Sequence, residues 1–303
     1  MKHFITGLEL TKNEVGNIFD LIEDIKTNPI LYSQSLKGKS IVTLYEKESL
    51  RTRLSFDIGI NKLGGHAVYL DNQNGVIGKR ESVKDFALNI STWADCIVAR
   101  VNQNDTLVTL SEHSSVPVIN SLCNLYHPCQ ALADFMTLKE TFGRLDGLKL
   151  TYLGEGNNVS HSLMLLSAMF GVNFYAITPK NKEPNKTVFE KSKDLASKHN
   201  SSIQLSNDIL DSKDSDVLYS DSWVSMGDNT TLEDAKTLYQ SYQVNQKLVN
   251  FSKASAVLHC QPAHRGYEIT SEVIDGNKSK VLQQAKNRLY AQNALLLKLI
   301  GTN

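Results

Sequence analysis

The sequence predicts an α/β protein made of two doubly wound parallel-sheet domains. Short runs rich in Val and Ile alternate with segments whose apolar residues recur every three or four positions, a pattern typical of strands joined by covering helices. The length of 303 residues also favours two domains. A helix predicted from Pro128 to Phe142 meets Gly143 and is expected to cross between the domains. We therefore expect one domain at residues 1–142 and the other at residues 143–303.

Four buried strands are predicted in the first domain, with helices between them. The strands lie at residues 40–46, 66–71, 96–101 and 116–121, and the helical patterns are "LSFDIGINKLGG", "SVKDFALNISTWA" and "TLVTLSEHSS". The first of these helices is expected to bury Leu54, Ile58 and Leu63. Gly64 and Gly65 then end it, as glycines commonly end helices.

A second series of strands belongs to the second domain. Its members lie at residues 148–154, 172–178, 201–206, 215–220 and 255–260. The first helix of this series, "VSHSLMLLSAMFG", is expected to end at Gly171. A long C-terminal helix at about 281–300 is expected to return and pack on the first domain.

The composition excludes several classes of protein. The chain has 32 basic and 32 acidic side chains, so its net charge gives no reason to expect nucleic acid or an acidic membrane surface as a partner. No apolar run reaches the ~18 residues of a membrane span, and the N-terminal segment lacks the features of a secretory signal. The four cysteines lack CxxC spacing, so we expect neither a metal site nor disulfides. A reducing cytoplasm fits this pattern best.

The segment "SLRTR" has the features of an anion site. Ser49 follows a predicted strand and is a good N-cap for the next helix, whose free first-turn amides and dipole favour a bound anion. Arg51 and Arg53 add charge, and Thr52 adds a hydroxyl donor. Because helices usually place acidic residues in the first turn, two arginines there oppose the local rule and indicate function. The alternative is a pair of solvated arginines on a surface helix.

Further polar residues follow other strands or lie on helices. They are Arg100, His127, Gln130, Asp221, Cys260 and Arg288. Ligands of open parallel sheets bind beyond the carboxyl ends of the strands, which favours a shared site. All of them except Gln130 also have a plain structural interpretation. Arg100 could cap a strand, His127 could be structural, Asp221 could cap a helix, Cys260 could be buried and inert, and Arg288 could lie on a solvated face.

The segment "YLGEGNN" suggests a dinucleotide fingerprint but does not complete it. The pattern G-x-G-x-x-G requires glycine where Val159 stands, and no clear ribose-binding acid follows. Gly154 and Gly156 still allow a tight turn that presents Asn157 and Asn158 as amide donors and acceptors. An NAD-dependent dehydrogenase is therefore disfavoured.

Four motifs in this order resemble those of the aspartate/ornithine transcarbamylase family, and the resemblance covers essentially the whole chain. They are "SLRTR" at residues 49–53, His127-Pro128-Cys129-Gln130, the Asp-x-x-x-Ser-Met-Gly pattern from Asp221 to Gly227, and His259-Cys260-Gln261-Pro262. The resemblance implies transfer of a carbamoyl group from carbamoyl phosphate to an amino-acid amine. The Ser-Met-Gly sequence favours L-ornithine as the acceptor, with citrulline and phosphate as products.

The resemblance also implies roles for individual residues. Carbamoyl phosphate would be bound by Ser49, Leu50, Arg51, Thr52, Val76, Arg100, His127, Gln130, Cys260, Gln261 and Arg288. Ornithine would be bound by Asn158, Asp221, Ser225 and Met226. The catalytic groups would be Cys260, Arg100, His127 and Asp221. The family implies no metal or cofactor, and a homo-oligomer, most simply a trimer.

Three residues depart from the family pattern. Leu50 replaces the usual Thr, but its backbone amide is the expected ligand. Gln261 replaces Leu at a position used for its carbonyl, and Val76 replaces a Gln that contacts carbamoyl phosphate in many members. Two alternative functions also remain: a transcarbamylase with another acceptor, such as putrescine or a modified ornithine, and a non-catalytic carbamoyl phosphate or phosphate sensor.

Overall fold

The chain folds into two compact units, each built around its own parallel sheet. The structure is a computed structural model that describes residues 2–47, 49–71, 77–224 and 230–301. The first unit comprises Met1–Ala133 and Asn287–Asn303, and the second unit comprises Asp134–Lys286. The predicted α/β class with two parallel sheets is confirmed.

Four strands form the sheet of the first unit. They are β1 (Ser40–Tyr45), β2 (His66–Asp71), β3 (Cys96–Arg100) and β4 (Val118–Leu122), all within two residues of the predicted positions. The strands are parallel and stand in the order β2-β1-β3-β4. The chain passes from β1 to β2 on one side and then to β3 on the other. This reversal creates a switch point between β1 and β3, where open parallel sheets bind ligands.

Five helices of the first unit lie between or before these strands in the described residues. They are α1 (Lys12–Thr27), α2 (Pro29–Tyr32), α3 (Leu50–Lys62), α4 (Val83–Ile90) and α5 (Asn104–His113). Helix α3 follows β1 directly, so its N-terminus stands at the switch point. Gly64 takes a positive φ of 80° just after α3, which agrees with the predicted helix end.

The predicted buried face of α3 is wrong in part. Leu63 is buried as expected, but Leu54 and Ile58 are 48% and 45% exposed. The helix instead buries Thr52, Phe56, Gly59 and Ile60. Two stripes of this sequence satisfy the three- and four-residue spacing, and packing selects the one that contains a glycine. A Cβ at Gly59 would lie 2.2 Å from Oδ1 of the buried Asn293 in the C-terminal helix, so a larger residue there would displace that side chain.

Helix α6 spans Pro128–Phe142, the bounds that the sequence predicts. The division between the units falls within this helix, between Ala133 and Asp134. The residues of its first turn follow β4 closely, which places His127 and Gln130 in the first unit.

The sheet of the second unit contains five strands, all of them predicted. They are β5 (Lys149–Leu153), β6 (Asn173–Ile177), β7 (Ile203–Ser206), β8 (Val217–Ser220) and β9 (Ala256–His259). The strands are parallel and stand in the order β7-β6-β5-β8-β9. From β5 the chain adds β6 and β7 on one side and then β8 and β9 on the other. The boundary between β5 and β8 is therefore the switch point of the second unit.

The helices of the second unit surround a core that includes nearly all of one helix. In the described residues they are α7 (Asn158–Phe170), α8 (Lys186–Ser197), α9 (Leu232–Tyr239), α10 (Gln246–Ser252) and α11 (Ser271–Ile274). Every residue of α7 from Val159 to Phe170 is buried. Gly171 ends α7 in the left-handed conformation at φ 76°, as predicted.

Helix α12, at Val281–Ile300, ends the described chain and has the predicted bounds. The division between the units falls within it, and its residues from Asn287 onward belong to the first unit. The predicted return of this helix to the first unit is therefore confirmed. No helix in the described part of the chain combines the length and the apolar character needed to cross a bilayer.

Candidate active-site residues

The N-terminus of α3 presents free amide groups beyond the end of β1. The first helical hydrogen bond runs from the Arg53 N–H to the Ser49 carbonyl at 3.1 Å, so the amides of residues 50–52 have no acceptor within the helix. Ser49 occupies the predicted N-cap position, but its side chain makes no capping bond, and its hydroxyl remains available. Leu50 and Arg51 are exposed. This helix end therefore offers amide donors and a positive dipole to an anion.

Two buried arginines meet the hydroxyl of Thr52. Arg288 donates from Nη2 to Thr52 Oγ1 at 2.6 Å, and Arg100 donates from Nη1 to the same atom at 3.4 Å. Arg288 also donates from Nη1 to Gln130 Oε1 at 3.1 Å. Arg100 and Arg288 are only 5% and 7% exposed. We call Thr52, Arg100, His127, Gln130 and Arg288 the arginine cluster; it joins side chains from β3, α3, α6, α12 and the residue before α6.

Arg100 gives the arginine cluster a buried charge that no described acidic side chain balances. Within the described residues Arg100 makes no ion pair, and its buried Nε has no hydrogen-bond partner. Burial, reinforced by the charge of Arg288, lowers the pKa of Arg100 to about 10. Burial together with both arginines also lowers the pKa of His127 well below its usual value, so this imidazole is neutral at neutral pH. Since a buried cation without a counter-charge is costly, an anion is the natural complement of this cluster.

Arg53 does not join the arginine cluster, contrary to the expectation that it supplies charge beside Arg51. Its guanidinium lies over the ring of Tyr69, 3.6 Å from the centroid, and its Nε is 3.4 Å from Asp57 Oδ2. The i to i+4 spacing of Arg53 and Asp57 favours this pair on the helix surface. Val76 lies outside the described residues.

Asp221 is the centre of a second group of polar side chains, directly after β8. Its Oδ1 accepts hydrogen bonds from Cys260 Sγ at 2.9 Å and from the Ser222 N–H at 2.8 Å. Its Oδ2 accepts one from Asn157 Nδ2 at 2.7 Å. We call Asn157, Asp221, Ser222 and Cys260 the Asp221 cluster. It lies at the carboxyl ends of β5, β8 and β9, around the switch point of the second unit.

The turn that carries Cys260 is held by a buried His–Glu pair. His259 Nδ1 accepts a hydrogen bond from the Gln261 N–H at 2.9 Å, so its proton lies on Nε2, which is 3.3 Å from Glu268 Oε1. His259 and Glu268 are fully buried. Gln261 has a positive φ of 64°. The sequence indicates His259 through its motif, whereas Glu268 carries no sequence signal because nine positions separate the two residues.

Of the other three predicted ornithine ligands, the structure describes only Asn158. Asn158 is the first residue of α7 and is half-buried. It directly follows Asn157 of the Asp221 cluster in the sequence. Ser225 and Met226 lie outside the described residues. Among the residues that the structure describes, no group of three or more His, Cys, Asp or Glu side chains has the arrangement of a metal site.

The fold and the two clusters define an α/β enzyme that acts on small polar metabolites. One switch point carries buried cations suited to an anionic donor group. The other carries a carboxylate beside a thiol, which suits an amine. Neither switch point has the glycine fingerprint of a dinucleotide site.

Comparisons with known proteins cover both units. Residues 2–140 match the aspartate/ornithine carbamoyltransferase carbamoyl-P binding domain, and residues 146–299 match the Asp/Orn binding domain of the same family. The ornithine carbamoyltransferase of Moritella profunda is 53% identical over 300 residues, covering 99% of this chain and 100% of the relative. The structure of ornithine carbamoyltransferase from Pyrococcus furiosus superposes with a TM-score of 0.95 at 37% identity, covering 99% of this chain and 97% of that chain.

The chain belongs to the aspartate/ornithine carbamoyltransferase family. It therefore contains a domain that binds carbamoyl phosphate, followed by a domain that binds the amino-acid acceptor.

Proposed function

We propose that this enzyme transfers the carbamoyl group of carbamoyl phosphate to the δ-amine of L-ornithine, giving L-citrulline and phosphate. The observation that carries this proposal is the arginine cluster, in which two buried guanidinium groups meet at Thr52 beside a helix N-terminus. Relatives that are 41% to 53% identical to this chain are ornithine carbamoyltransferases, which supports ornithine as the acceptor.

The phosphate group of the donor would be held by the α3 N-terminus. Ser49, the Leu50 amide, Arg51 and Thr52 would be its nearest ligands, with Arg100 and Arg288 supplying buried charge. The carbonyl oxygen of the donor would face Arg100, Thr52 and the neutral His127. Gln130 and the backbone carbonyls of Cys260 and Gln261 would orient the carbamoyl NH2 group, and residue 76 would complete the donor contacts.

The acceptor would be held by the second domain. Asn158, Asp221, Ser225 and Met226 would bind the α-amino and α-carboxylate groups of ornithine. The δ-amine resembles the lysine amine, whose pKa of about 10.4 keeps it protonated at neutral pH, and only its neutral form attacks. Cys260 would receive the amine proton as its own thiol proton passes along the hydrogen bond to Asp221.

The reaction follows from these contacts. The neutral δ-nitrogen attacks the carbamoyl carbon and forms a C–N bond, while the carbonyl electrons move to oxygen. Arg100, Thr52 and His127 would stabilise that developing negative charge, an effect worth about 3 kcal/mol for one preorganised donor. The carbonyl then re-forms as the C–O bond to phosphate breaks, and phosphate leaves with the bonding electrons and takes up the second proton of the attacking nitrogen.

The test is a citrulline assay with purified protein, carbamoyl phosphate and a panel of amines. We expect citrulline with L-ornithine and no carbamoylated product with putrescine or N-acetylornithine. If another amine gave a carbamoylated product at equal or higher kcat/KM, that amine would replace ornithine as the proposed acceptor. Binding of carbamoyl phosphate with no turnover on any amine would identify a sensor rather than an enzyme.

Three further expectations belong to this proposal. The functional domains would be residues 1–142 for carbamoyl phosphate and 143–303 for ornithine, the latter with its C-terminal helix returned to the first domain. The chain would work as a homotrimer in the cytoplasm. Light scattering on the purified protein checks the assembly, and a particle of one or two chains at assay concentration would contradict it.

A further inference from the structure

Asn157 is hydrogen-bonded to the carboxylate at the centre of the Asp221 cluster. Nδ2 of Asn157 lies 2.7 Å from Oδ2 of Asp221. The other carboxylate oxygen of Asp221, Oδ1, accepts hydrogen bonds from Cys260 and Ser222. One oxygen of Asp221 is thus tied to the end of β5, and the other is turned towards the thiol. Asn157 is not among the family-implied ligands of either substrate.

The orientation of the Asn157 amide is determined by its other partners. Oδ1 accepts hydrogen bonds from the N–H groups of Val159 at 3.0 Å and Ser160 at 3.2 Å, which makes Asn157 the N-cap of α7. The hydroxyl of Tyr152 also lies 3.3 Å from this oxygen and shares its single proton with the Glu155 carbonyl at 2.9 Å. Because the two backbone N–H groups can only donate, the oxygen must face them, and the NH2 group must face Asp221.

The surroundings of Asn157 hold it rigidly. Tyr152 is fully buried, and burial, reinforced by Asp221 and Cys260, raises the pKa of its hydroxyl well above the usual value, so it remains a donor. The preceding turn is tightly packed, because a Cβ at Gly156 would lie 2.1 Å from the Pro184 nitrogen. The amide of Asn157 therefore reaches Asp221 from a fixed backbone position.

We propose that Asn157 is a positioning residue that orients the Asp221 carboxylate, so that Oδ1 faces Cys260 and the incoming amine. This inference rests on the proposed role of Asp221 in ornithine use. A residue that only capped α7 would be replaceable by any other good capping residue. A positioning residue must also donate a hydrogen bond to a carboxylate, which is a different chemical requirement.

Two substitutions separate these roles. Ser and Asp are N-cap residues as effective as Asn, so Asn157→Ser and Asn157→Asp keep an oxygen for the α7 amides. Ser lacks the amide donor, and Asp places a second carboxylate against Asp221, where like charges repel. Asn185 is a matched control, since its Oδ1 caps α8 through two N–H groups at 3.0 and 3.2 Å and its side chain is exposed.

The experiment measures kcat, KM for ornithine, carbamoyl phosphate affinity by calorimetry, and Tm for each variant. We expect kcat/KM for ornithine to fall about 10-fold in Asn157→Ser, the value of a lost hydrogen bond to a charged group, and further in Asn157→Asp. Carbamoyl phosphate affinity should stay within twofold of wild type. Asn185→Asp should match wild type in all four measurements.

Asp221→Ala serves as the reference. If it loses ornithine use while Asn157→Ser and Asn157→Asp keep wild-type kcat/KM, the positioning role is refuted and the proposed function stands. If Asp221→Ala itself keeps wild-type ornithine kinetics, the proposed role of Asp221 is wrong. If Asn157→Asp fails to fold, Asn157→Ser decides the question, since it adds no charge.

Discussion

At the scale of single residues, burial separates the arginines of the arginine cluster from the exposed Arg51 and Arg53. The sequence places four arginines, Arg51, Arg53, Arg100 and Arg288, in segments that resemble the family. The structure buries Arg100 and Arg288 against one hydroxyl, whereas Arg53 stacks on Tyr69 at the surface. Charge alone could not separate them, because the direction of a side chain depends on packing partners distant in sequence.

Arg100→Ala should greatly weaken carbamoyl phosphate use. Arg100 contributes a buried charge with no acidic partner among the described residues, so the bound anion would be its counter-charge. The substitution therefore removes a direct contact between the protein and carbamoyl phosphate. We expect kcat/KM for carbamoyl phosphate to fall about 100- to 1,000-fold, as for removal of one preorganised oxyanion donor. Arg53→Ala is the matched control on the adjacent helix and should change this value less than tenfold. Equal effects in both variants would refute the arginine cluster as the donor site.

His127 should make the free protein less stable in mild acid. Its folded-state pKa is well below the usual value near 6.5, mainly because of burial and then because of Arg288 and Arg100. Below pH 6.5 the unfolded chain binds a proton that the folded chain does not, so acidification favours unfolding, by up to about 1.4 kcal/mol per pH unit. Stability from this residue is present above pH 6.5 and is lost as pH falls.

Urea unfolding between pH 5 and pH 7 measures this effect. His127→Asn should have a flatter dependence of unfolding free energy on pH than wild type, whatever its absolute stability. His66→Asn, at an exposed position, should keep the wild-type slope. A wild-type slope in His127→Asn would show that this histidine is not neutral when folded.

At the scale of helices and strands, positions along the chain were predictable but the buried faces of helices were not. Helices α6 and α12 have the predicted bounds, because Pro128 and the long apolar pattern before Gly301 are strong local signals. The buried face of α3 was mispredicted. Both candidate stripes are apolar enough, and the choice depends on Asn293 meeting Gly59 from a helix more than 200 positions away.

Gly59→Ala should therefore damage both stability and donor binding. The added Cβ would lie 2.2 Å from Asn293 Oδ1, so the buried Asn293 side chain, or α3 and α12 themselves, must shift, at a cost of about 1 to 3 kcal/mol. Since α3 carries Thr52 and α12 carries Arg288, the shift should also raise KM for carbamoyl phosphate. Urea unfolding and steady-state kinetics measure the two effects.

Gly16→Ala is the control for helix propensity. Gly16 lies within α1, and a Cβ there meets nothing within 4 Å. We expect this substitution to stabilise the protein by about 0.5 to 1 kcal/mol and to leave KM unchanged. If Gly59→Ala also stabilised the protein, the close packing of α3 on Asn293 would be wrong.

At the scale of the whole molecule, the order of the motifs along the chain already assigned each to one of two sheets. A β–α alternation implies parallel sheets, and polar residues after the strands then collect at one edge of each sheet. The strand orders could not be derived this way, since β2-β1-β3-β4 depends on pairing between distant segments. Hydrogen bonds such as Asn157 to Asp221, which cross a switch point, follow only from that order.

Inorganic phosphate is a product of the proposed reaction and also part of carbamoyl phosphate. It should stabilise the protein by binding to the first unit alone. A ligand at 100 times its Kd raises the unfolding free energy by about 2.7 kcal/mol if it binds only the folded chain. The arginine cluster and the α3 N-terminus belong to one unit, and Asp221 belongs to the other. Thermal unfolding with and without inorganic phosphate should therefore show a wild-type increase in Tm for Asp221→Ala and none for Arg100→Ala. A folded Asp221→Ala protein that phosphate no longer stabilises would mean that the second unit also supplies phosphate contacts. A wild-type increase in Tm for Arg100→Ala would overturn the assignment of the anion to the arginine cluster.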